Sequence, residues 1–401
     1  MTIPFPLVFQ LTAANSDPMQ AAVEAAIRSP QVSAAATTAT GALALTKSGR
    51  ATTSAQLAIA PWLGSPNGTT EEFLFLQPLE AGGRRSARVS SLDVQLVDAE
   101  TAYLETVTVV YSQILSQLTT LAAAERDHSH AVKVEKNLEA VLKVVEAQVA
   151  AGTKPGSDID LVKVHWSEAN IASVLAAELV TSSRVKLLSY GLDVSMFQHG
   201  AAALAIPNLS ILSPTNLLER RGSVTVAKLA SEMQASSASS RPDVSIMVRS
   251  QNFTRNFTSN DRGVAVQISI PIDHGSIKAN TSTIASQISS LTTRLNDERT
   301  KQSSRRKAIE ATIASIDAAI TTTQQAVISP MTDFVAKMQR AYVAGTATVM
   351  SYLDAQRSLH DSERRLISLR DQRDQGIRHL IEQGGMLPSQ LIAATKQSNR
   401  K

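Results

Sequence analysis

Four landmarks in this 401-residue chain recur at one spacing. Gln77-Pro78-Leu79-Glu80-Ala81-Gly82 returns as Ile270-Pro271-Ile272-Asp273-His274-Gly275, and Ala151-Gly152-Thr153 returns as Ala344-Gly345-Thr346. Arg28 maps onto Arg221 and Gly191 onto Gly384, every pair 193 residues apart with no net gap. A chain of this kind reads as two tandem copies of one supersecondary unit, 12–205 and 206–396.

Each copy follows the same order. A modest helix comes first, Met19 to about Ser48 and Leu217 to about Ser239, with Ala and Val at helical spacing. Two extended segments follow: Ala55–Trp62 and Glu72–Leu79 in the first copy, Asp243–Phe253 and Gly263–Ile272 in the second. Val244, Ile246 and Val248 alternate with Ser245, Met247 and Arg249, the period of a strand with two different faces. The loops between the segments, Gly64-Ser65-Pro66-Asn67-Gly68 and Thr258-Ser259-Asn260-Asp261, are rich in turn formers, so hairpins 55–79 and 243–272 are predicted.

Beyond each hairpin the apolar residues change to steps of three and four. Leu92, Leu96, Ala99 and Tyr103, then Val110 and Ile114, then Leu138, Val141, Val145 and Val149 follow coiled-coil spacing, and Ile284, Ile288, Leu291, Leu295, Ile309, Ile313, Ile316 and Ile320 repeat it. About 65 helical residues make a rod of roughly 100 Å. Ala151-Gly152-Thr153 and Ala344-Gly345-Thr346 end the rods, and return helices of about 30 residues run to Gly191 and Gly384. Ser157 is placed to cap the first return helix. The coiled-coil pairs are thus 83–190 and 276–383, and the opening helix of each copy is the natural cover for the rest of its rod. The fold class is mainly α with a small antiparallel β part. Four strands cannot close a barrel alone, so copies pooled around a rotation axis are the simplest way to remove the exposed edges.

Composition narrows the function. Hydrophobic residues make up 43% of the chain but aromatics only 4%, a profile of packed Ala, Leu, Val and Ile helices. The net charge is +4, yet Lys and Arg are scattered and no aromatic-interleaved basic stripe occurs, which argues against nucleic acid. The dense run from Arg299 to Lys307 lies within a helical pattern and reads as a solvated face. Without cysteine there are no disulfides, thiolate metal sites, cysteine nucleophiles or lipid-modified N-terminal cysteine. No run of 18 apolar residues is present, so a membrane role would need a β-barrel. Residues 1–11 hold a short apolar stretch but lack leading basic residues and are broken by Pro4 and Pro6, so they are not assigned as a signal peptide, and a processed chain fits equally well. His128 and His130 are two apart on a helix and point to different sides, so no metal site is expected from them. No Gly-x-Ser-x-Gly elbow, phosphate-cradling loop or His-Glu-x-x-His helix occurs, and neither a catalytic residue nor a cofactor is expected.

Arg340-Ala341-Tyr342-Val343-Ala344-Gly345-Thr346 followed by Tyr352-Leu353-Asp354-Ala355-Gln356-Arg357 resembles the second helix-reversal motif of the TolC family, the outer membrane factors of bacterial efflux and type I secretion systems. Gln148-Val149-Ala150-Ala151-Gly152 with Asp158 resembles the first reversal, and Leu76-Gln77-Pro78-Leu79 with Gly82-Gly83-Arg84 resembles the strand-to-helix handover. The resemblance covers nearly the whole chain. It implies a homotrimer with a 12-strand β-barrel in outer-membrane lipid, continued by a 12-helix α-barrel across the periplasm. It also implies a passive exit duct, opened by a periplasmic adaptor (membrane fusion) protein and an inner-membrane transporter, with no nucleic-acid partner. By the same resemblance, Ala151, Gly152, Thr153, Ala344, Gly345 and Thr346 are the adaptor-contacting tips.

The resemblance also assigns the periplasmic aperture to Asp354, Ser351, Tyr342, Asp158 and Ser157. Three Asp354 carboxylates about a threefold axis would favour cations. Ser351 stands where the family carries a second acidic residue, and Ala347 where it carries an arginine that latches the closed state with the tyrosine and the aspartate. Alone, Asp354 would read as a solvated charge, Tyr342 as a seam residue, and Asp158 and Asp160 as partners of a helix dipole. The rival to a duct is a soluble periplasmic coiled-coil scaffold, and the strand faces discriminate, because a barrel must show apolar residues to lipid on every strand. Trp62, Phe73, Phe75, Phe253 and Phe257 lie near the hairpin segments as boundary aromatics would.

Overall fold

The computed structural model describes residues 18–51, 56–65, 68–80, 83–192, 212–214, 217–253, 260–270, 274–383 and 386–388. Residues 1–11, Ala55, Ala81-Gly82, Phe257, Pro271, Ile272, Asp273 and Gly384-Gly385, all named from the sequence, lie outside them. In chain order the elements are α1 (Pro18–Arg28), α2 (Pro30–Ala51), β1 (Gln56–Ser65), β2 (Gly68–Leu79), α3 (Arg84–Ala150) and α4 (Ser157–Ser189). There follow β3 (Leu212–Pro214), α5 (Leu217–Ser239), β4 (Asp243–Phe253), β5 (Asn260–Ser269), α6 (His274–Thr322), α7 (Ser329–Val343), α8 (Val349–Glu382) and β6 (Met386–Pro388). The chain is mainly helical with a small antiparallel part, as expected.

Contacts divide the residues into two compact units that do not follow the sequence halves. One unit, residues 33–105 and 216–300, holds the sheet. Its strands run β1-β2-β4-β5, every neighbour antiparallel, so the hairpins join through their inner strands, with Phe75 opposite Val248 and Leu79 opposite Val244. The strands of the first hairpin are longer than predicted: β1 extends to Ser65 and β2 starts at Gly68. The opening helices cover the starts of the long ones. On α2 the Thr46 hydroxyl donates to the Leu92 carbonyl, and a Cβ at Gly49 would collide with Leu92 of α3. On α5 Arg220 bonds Glu100 and Lys228 Nζ lies 2.8 Å from Asp98 Oδ2, while a Cβ at Gly222 would collide with Leu295 of α6. The strand-to-helix handover is tied by charge: Arg88 grips Glu80 through Nε and Nη2 and bonds the Gly49 carbonyl, and Arg84 Nη1 lies 3.3 Å from Asp243 Oδ2.

The other unit, residues 1–32, 106–215 and 301–401, holds the rest of the helices and the β3–β6 pair, in which Ser213 faces Leu387. The core of α3 there is Val107, Val110, Tyr111, Ile114, Leu115, Leu118 and Leu121, then Leu138, Val141 and Val145, which contains five of the ten seam positions read from the sequence. A window of α3 is apolar enough to cross a membrane by composition, but most of it is buried within the fold, as in any core helix.

The long helix of the second half is interrupted where that of the first is not. Between α6 and α7 the chain widens to a π-turn over Thr323–Ile328, with the Ser329 amide reaching back to the Gln324 carbonyl. The cause is Pro330, near the start of α7, which has no N–H to give the Ala326 carbonyl and whose ring would strike it. Asn137 stands 193 residues earlier, and α3 runs through it unbroken.

A buried ion network holds α8 to its neighbours. Arg126 of α3 donates from Nη1 to Asp371 and from Nη2 to Asp374, at 2.7 and 2.6 Å, while Arg373 binds Asp317 of α6 at 2.6 Å. Burial pushes both the Asp371 and Asp374 carboxyls up, opposed by the Arg126 guanidinium. Arg126→Ala should therefore destabilise the fold by about 3–5 kcal/mol, because it strands Asp374 in the interior. Urea unfolding followed by circular dichroism measures this, and a loss below about 1 kcal/mol would refute the assigned weight of the network.

Candidate functional site

Both helix reversals are built alike. Gly152 and Gly345 take φ values of 73° and 76°, the left-handed conformation that glycine adopts without a Cβ clash. At each, the threonine amide bonds the carbonyl five residues back, Thr153 to Gln148 at 3.0 Å and Thr346 to Ala341 at 2.9 Å, and its hydroxyl bonds the same carbonyl. These are Schellman-type closures that use up the carbonyls left over at a helix end. Ala151, Gly152, Thr153, Ala344, Gly345 and Thr346 are all exposed, so small side chains and backbone are what the tips present.

The return helices start differently. Ser157 is already helical and the residue before it, Gly156, offers no side chain; the turn closes through backbone bonds from Asp158 to Pro155 and from Ile159 to Gly156. The predicted Ser157 cap is thus absent, because an N-cap hydroxyl works from extended backbone outside the helix. Asp158 and Asp160 stand in the first turn of α4 and answer its dipole. At the second tip, Thr348 is extended (ψ 156°) and caps α8 by accepting the Ser351 amide at 3.1 Å, its hydroxyl also lying 2.8 Å from that of Ser351.

Between the tips sits an aromatic pair. Tyr342 at the end of α7 is 1% exposed and stacks on Tyr352 of α8 with centroids 5.9 Å apart, within a core that includes Val141, Val145, Val162, Val349 and Leu353. Gln356 donates to the Tyr352 hydroxyl at 2.8 Å. Among the described residues nothing bonds the Tyr342 hydroxyl. Burial pushes its pKa up, and the charge of Asp158 nearby adds to the shift. The Lys154 ammonium, from the loop of the first tip, stands 5.1 Å over the Tyr342 ring, within cation–π range. The structure therefore brings Tyr342, Asp158 and Lys154 together, and leaves Asp354 and Ser351 on the exposed face of α8, with Ser351 engaged by its cap. Lys154 was not singled out in the sequence; the signal was its position, 193 residues before Ala347. Also missed was His130, which meets His360 and Glu363 of α8 instead of pairing with His128.

The sheet presents a further surface. Leu57, Phe75, Val248 and Val264 stand opposite one another across all four strands, so they share one face. They are 66%, 40%, 40% and 75% exposed, and Leu79, Val266 and Ile268 extend the same apolar face. Alternate residues such as Ser245, buried at 9%, face the other side.

The architecture is that of solved bacterial outer-membrane channels. VceC from Vibrio cholerae superposes with a TM-score of 0.71 at 16% identity, over 92% of this chain and 96% of that one. CmeC from Campylobacter jejuni gives 0.69 at 11% identity over 100% and 97%, and MtrE from Neisseria gonorrhoeae, in its open state, gives 0.68 at 15% identity over 92% and 89%. At such identities the likeness concerns the fold. Residues 223–385 match the profile of the outer membrane efflux protein family. No curated protein sequence matches the chain. The fold is thus that of these channels, and the outer membrane efflux protein profile covers most of the second copy.

The unbonded Tyr342 hydroxyl gives a test of the tip. Removing a buried hydroxyl that has no partner relieves its desolvation cost, so Tyr342→Phe should leave the melting temperature unchanged or raise stability by about 1 kcal/mol. A loss larger than about 1 kcal/mol in the same urea titration would mean that the hydroxyl is bonded.

Proposed function

We propose that the protein is an efflux-type channel of the bacterial outer membrane, with its helical part in the periplasm. The observation that carries this reading is the exposed apolar row Leu57–Phe75–Val248–Val264. A sheet in water would turn such a face inward, whereas a barrel in lipid must turn it outward on every strand. The soluble scaffold has no use for it.

The working unit is a homotrimer. The sheet ends in two edge strands, β1 and β5, and three copies set edge to edge supply 12 strands and close the ring. The helices give parallel support. On α4, Val162, Ala169, Val180 and Leu187 are buried, while Val164, Ile171, Val174, Leu175, Val185 and Leu188 line the opposite side as a second apolar seam that is exposed in the single chain. Two tandem repeats, 12–205 and 206–396, then give each subunit four helical columns, and the trimer twelve. Ala151–Thr153 and Ala344–Thr346 meet the adaptor, whose helices approach closely because the tip side chains are small. An inner-membrane transporter supplies the energy and the duct itself is passive. Asp354 rings the aperture, Ser351 no longer adds charge there, and Lys154 over Tyr342, with Asp158 beside it, holds the two tips together in place of an arginine at 347.

Reconstitution into planar bilayers tests the duct: trimers should conduct, with a preference for cations that falls in Asp354→Ala. An absence of channels from assembled trimers overturns the channel, and unchanged reversal potentials remove Asp354 from the aperture. Ile171→Glu puts a charge on the second seam of α4, and should leave the helical content of the subunit intact while converting trimers to monomers in analytical ultracentrifugation. Trimers that survive this change would move the subunit contact elsewhere.

A further inference from the structure

We propose that His130, His360 and Glu363 form a binding site for one zinc-type divalent cation, which staples α8 to α3. His130 comes from α3, and His360 and Glu363 sit three apart on one face of α8. The Nδ1 atoms of His130 and His360 lie 3.4 and 3.5 Å from the same oxygen, Oε2 of Glu363, and the ligand atoms of all three lie within 4.8 Å of one another. Bonds of 2.0–2.1 Å to a tetrahedral zinc put neighbouring ligand atoms roughly 3.3 Å apart, so two edges of the tetrahedron are already drawn.

These atoms are otherwise idle. Among the described residues no hydrogen bond reaches either ring nitrogen of His360 or Oε2 of Glu363, although all three are buried. At 3.4–3.5 Å the imidazole-to-carboxylate contacts are too long for good hydrogen bonds, and the two rings meet edge to face, with centroids 5.6 Å apart. Buried polar atoms without partners are costly, and a cation bound between them would satisfy all of them at once. Lys133 occupies the other carboxylate oxygen, Oε1, which fixes the orientation of Glu363 and leaves Oε2 turned to the histidines. Two imidazoles and one carboxylate are a donor set that suits zinc, with a fourth position left to water. Water and ion can reach it, because His130 and His360 line a cavity of about 320 Å³ between α3, α4 and α8, which also touches His165, Glu168 and Asp354.

The site lies one to three turns along α8 from Asp354. An occupied site would fix the register of the aperture helix against α3, whether or not the protein conducts, so the proposal stands apart from the channel reading.

The test uses the full chain purified in detergent without a polyhistidine tag and stripped with EDTA. Titration with zinc by calorimetry should give one ion per chain, and cobalt in its place should develop the strong visible bands of a tetrahedral centre. His130→Asn, His360→Asn and Glu363→Gln should each weaken zinc at least tenfold, with His128→Asn and His165→Asn unchanged. Stoichiometric binding that ignores the first three substitutions, or no saturable binding at all, overturns the site. Should a substitution unfold the chain, X-ray absorption on the unaltered protein decides: two imidazoles in the zinc shell support the proposal, and fewer than two defeat it.

Discussion

An antiparallel ribbon of four strands leaves the outward amides and carbonyls of its two edge strands without a partner, and in hydrocarbon each such group costs several kcal/mol. That requirement bears on everything else in this chain. The strands β1 and β5 are the edges, and the row from Leu57 to Val264 is the face that lipid would cover. A sheet with this face and these edges is unfinished as a monomer. Closure by rotation satisfies both needs at once, and it asks nothing of the sequence beyond the pattern already present: apolar side chains on one face of every strand and the duplication that brings two hairpins into one chain.

The helices meet the same requirement by other means. A helix satisfies its own backbone, so its unfinished business lies in side chains alone. On α4 one seam is buried against α3 and a second, through Val164, Ile171 and Val185, is not. On α6 only Ile284 and Ile313 are buried of the eight isoleucine and leucine positions read as its seam. On α8 an apolar row that includes Leu353, Leu366, Ile377 and Leu380 is buried, and polar contacts add to it: Arg126 with Asp371 and Asp374 in the interior, and Arg373 with the half-exposed Asp317. Such pairs add little net stability against an apolar alternative, but they punish a wrong register heavily, because a slipped helix would strand a charge inside.

Much of this was legible in the residues. Period-two alternation located the strands, steps of three and four located the helices, and Gly152 and Gly345 marked both reversals, because each signal rests on backbone geometry that acts locally. Pro330 is equally legible as a break in the helical pattern, ten residues beyond the last seam position Ile320. Ser157 misled because capping depends on the conformation of one residue, which composition does not report. The trio of His130, His360 and Glu363 was beyond reach for a different reason. Its histidines are 230 residues apart, and only the packing of α8 on α3 brings them together.

The two halves differ most where their likeness would predict function. Ala347 occupies the position at which the family carries its latching arginine, and 193 residues earlier stands Lys154. A lysine there cannot form the planar, bidentate bond of a guanidinium with Asp158, but its long stem reaches the Tyr342 ring and places the charge over its face. Tyr342 then serves the contact as a ring, which agrees with its unbonded hydroxyl. A cation–π contact contributes about 0.5–1 kcal/mol at an exposed site and about 2 kcal/mol when desolvated, and here the ring is buried while the ammonium is half-covered. The two reversals are thus joined by a residue of the first copy set over a ring of the second.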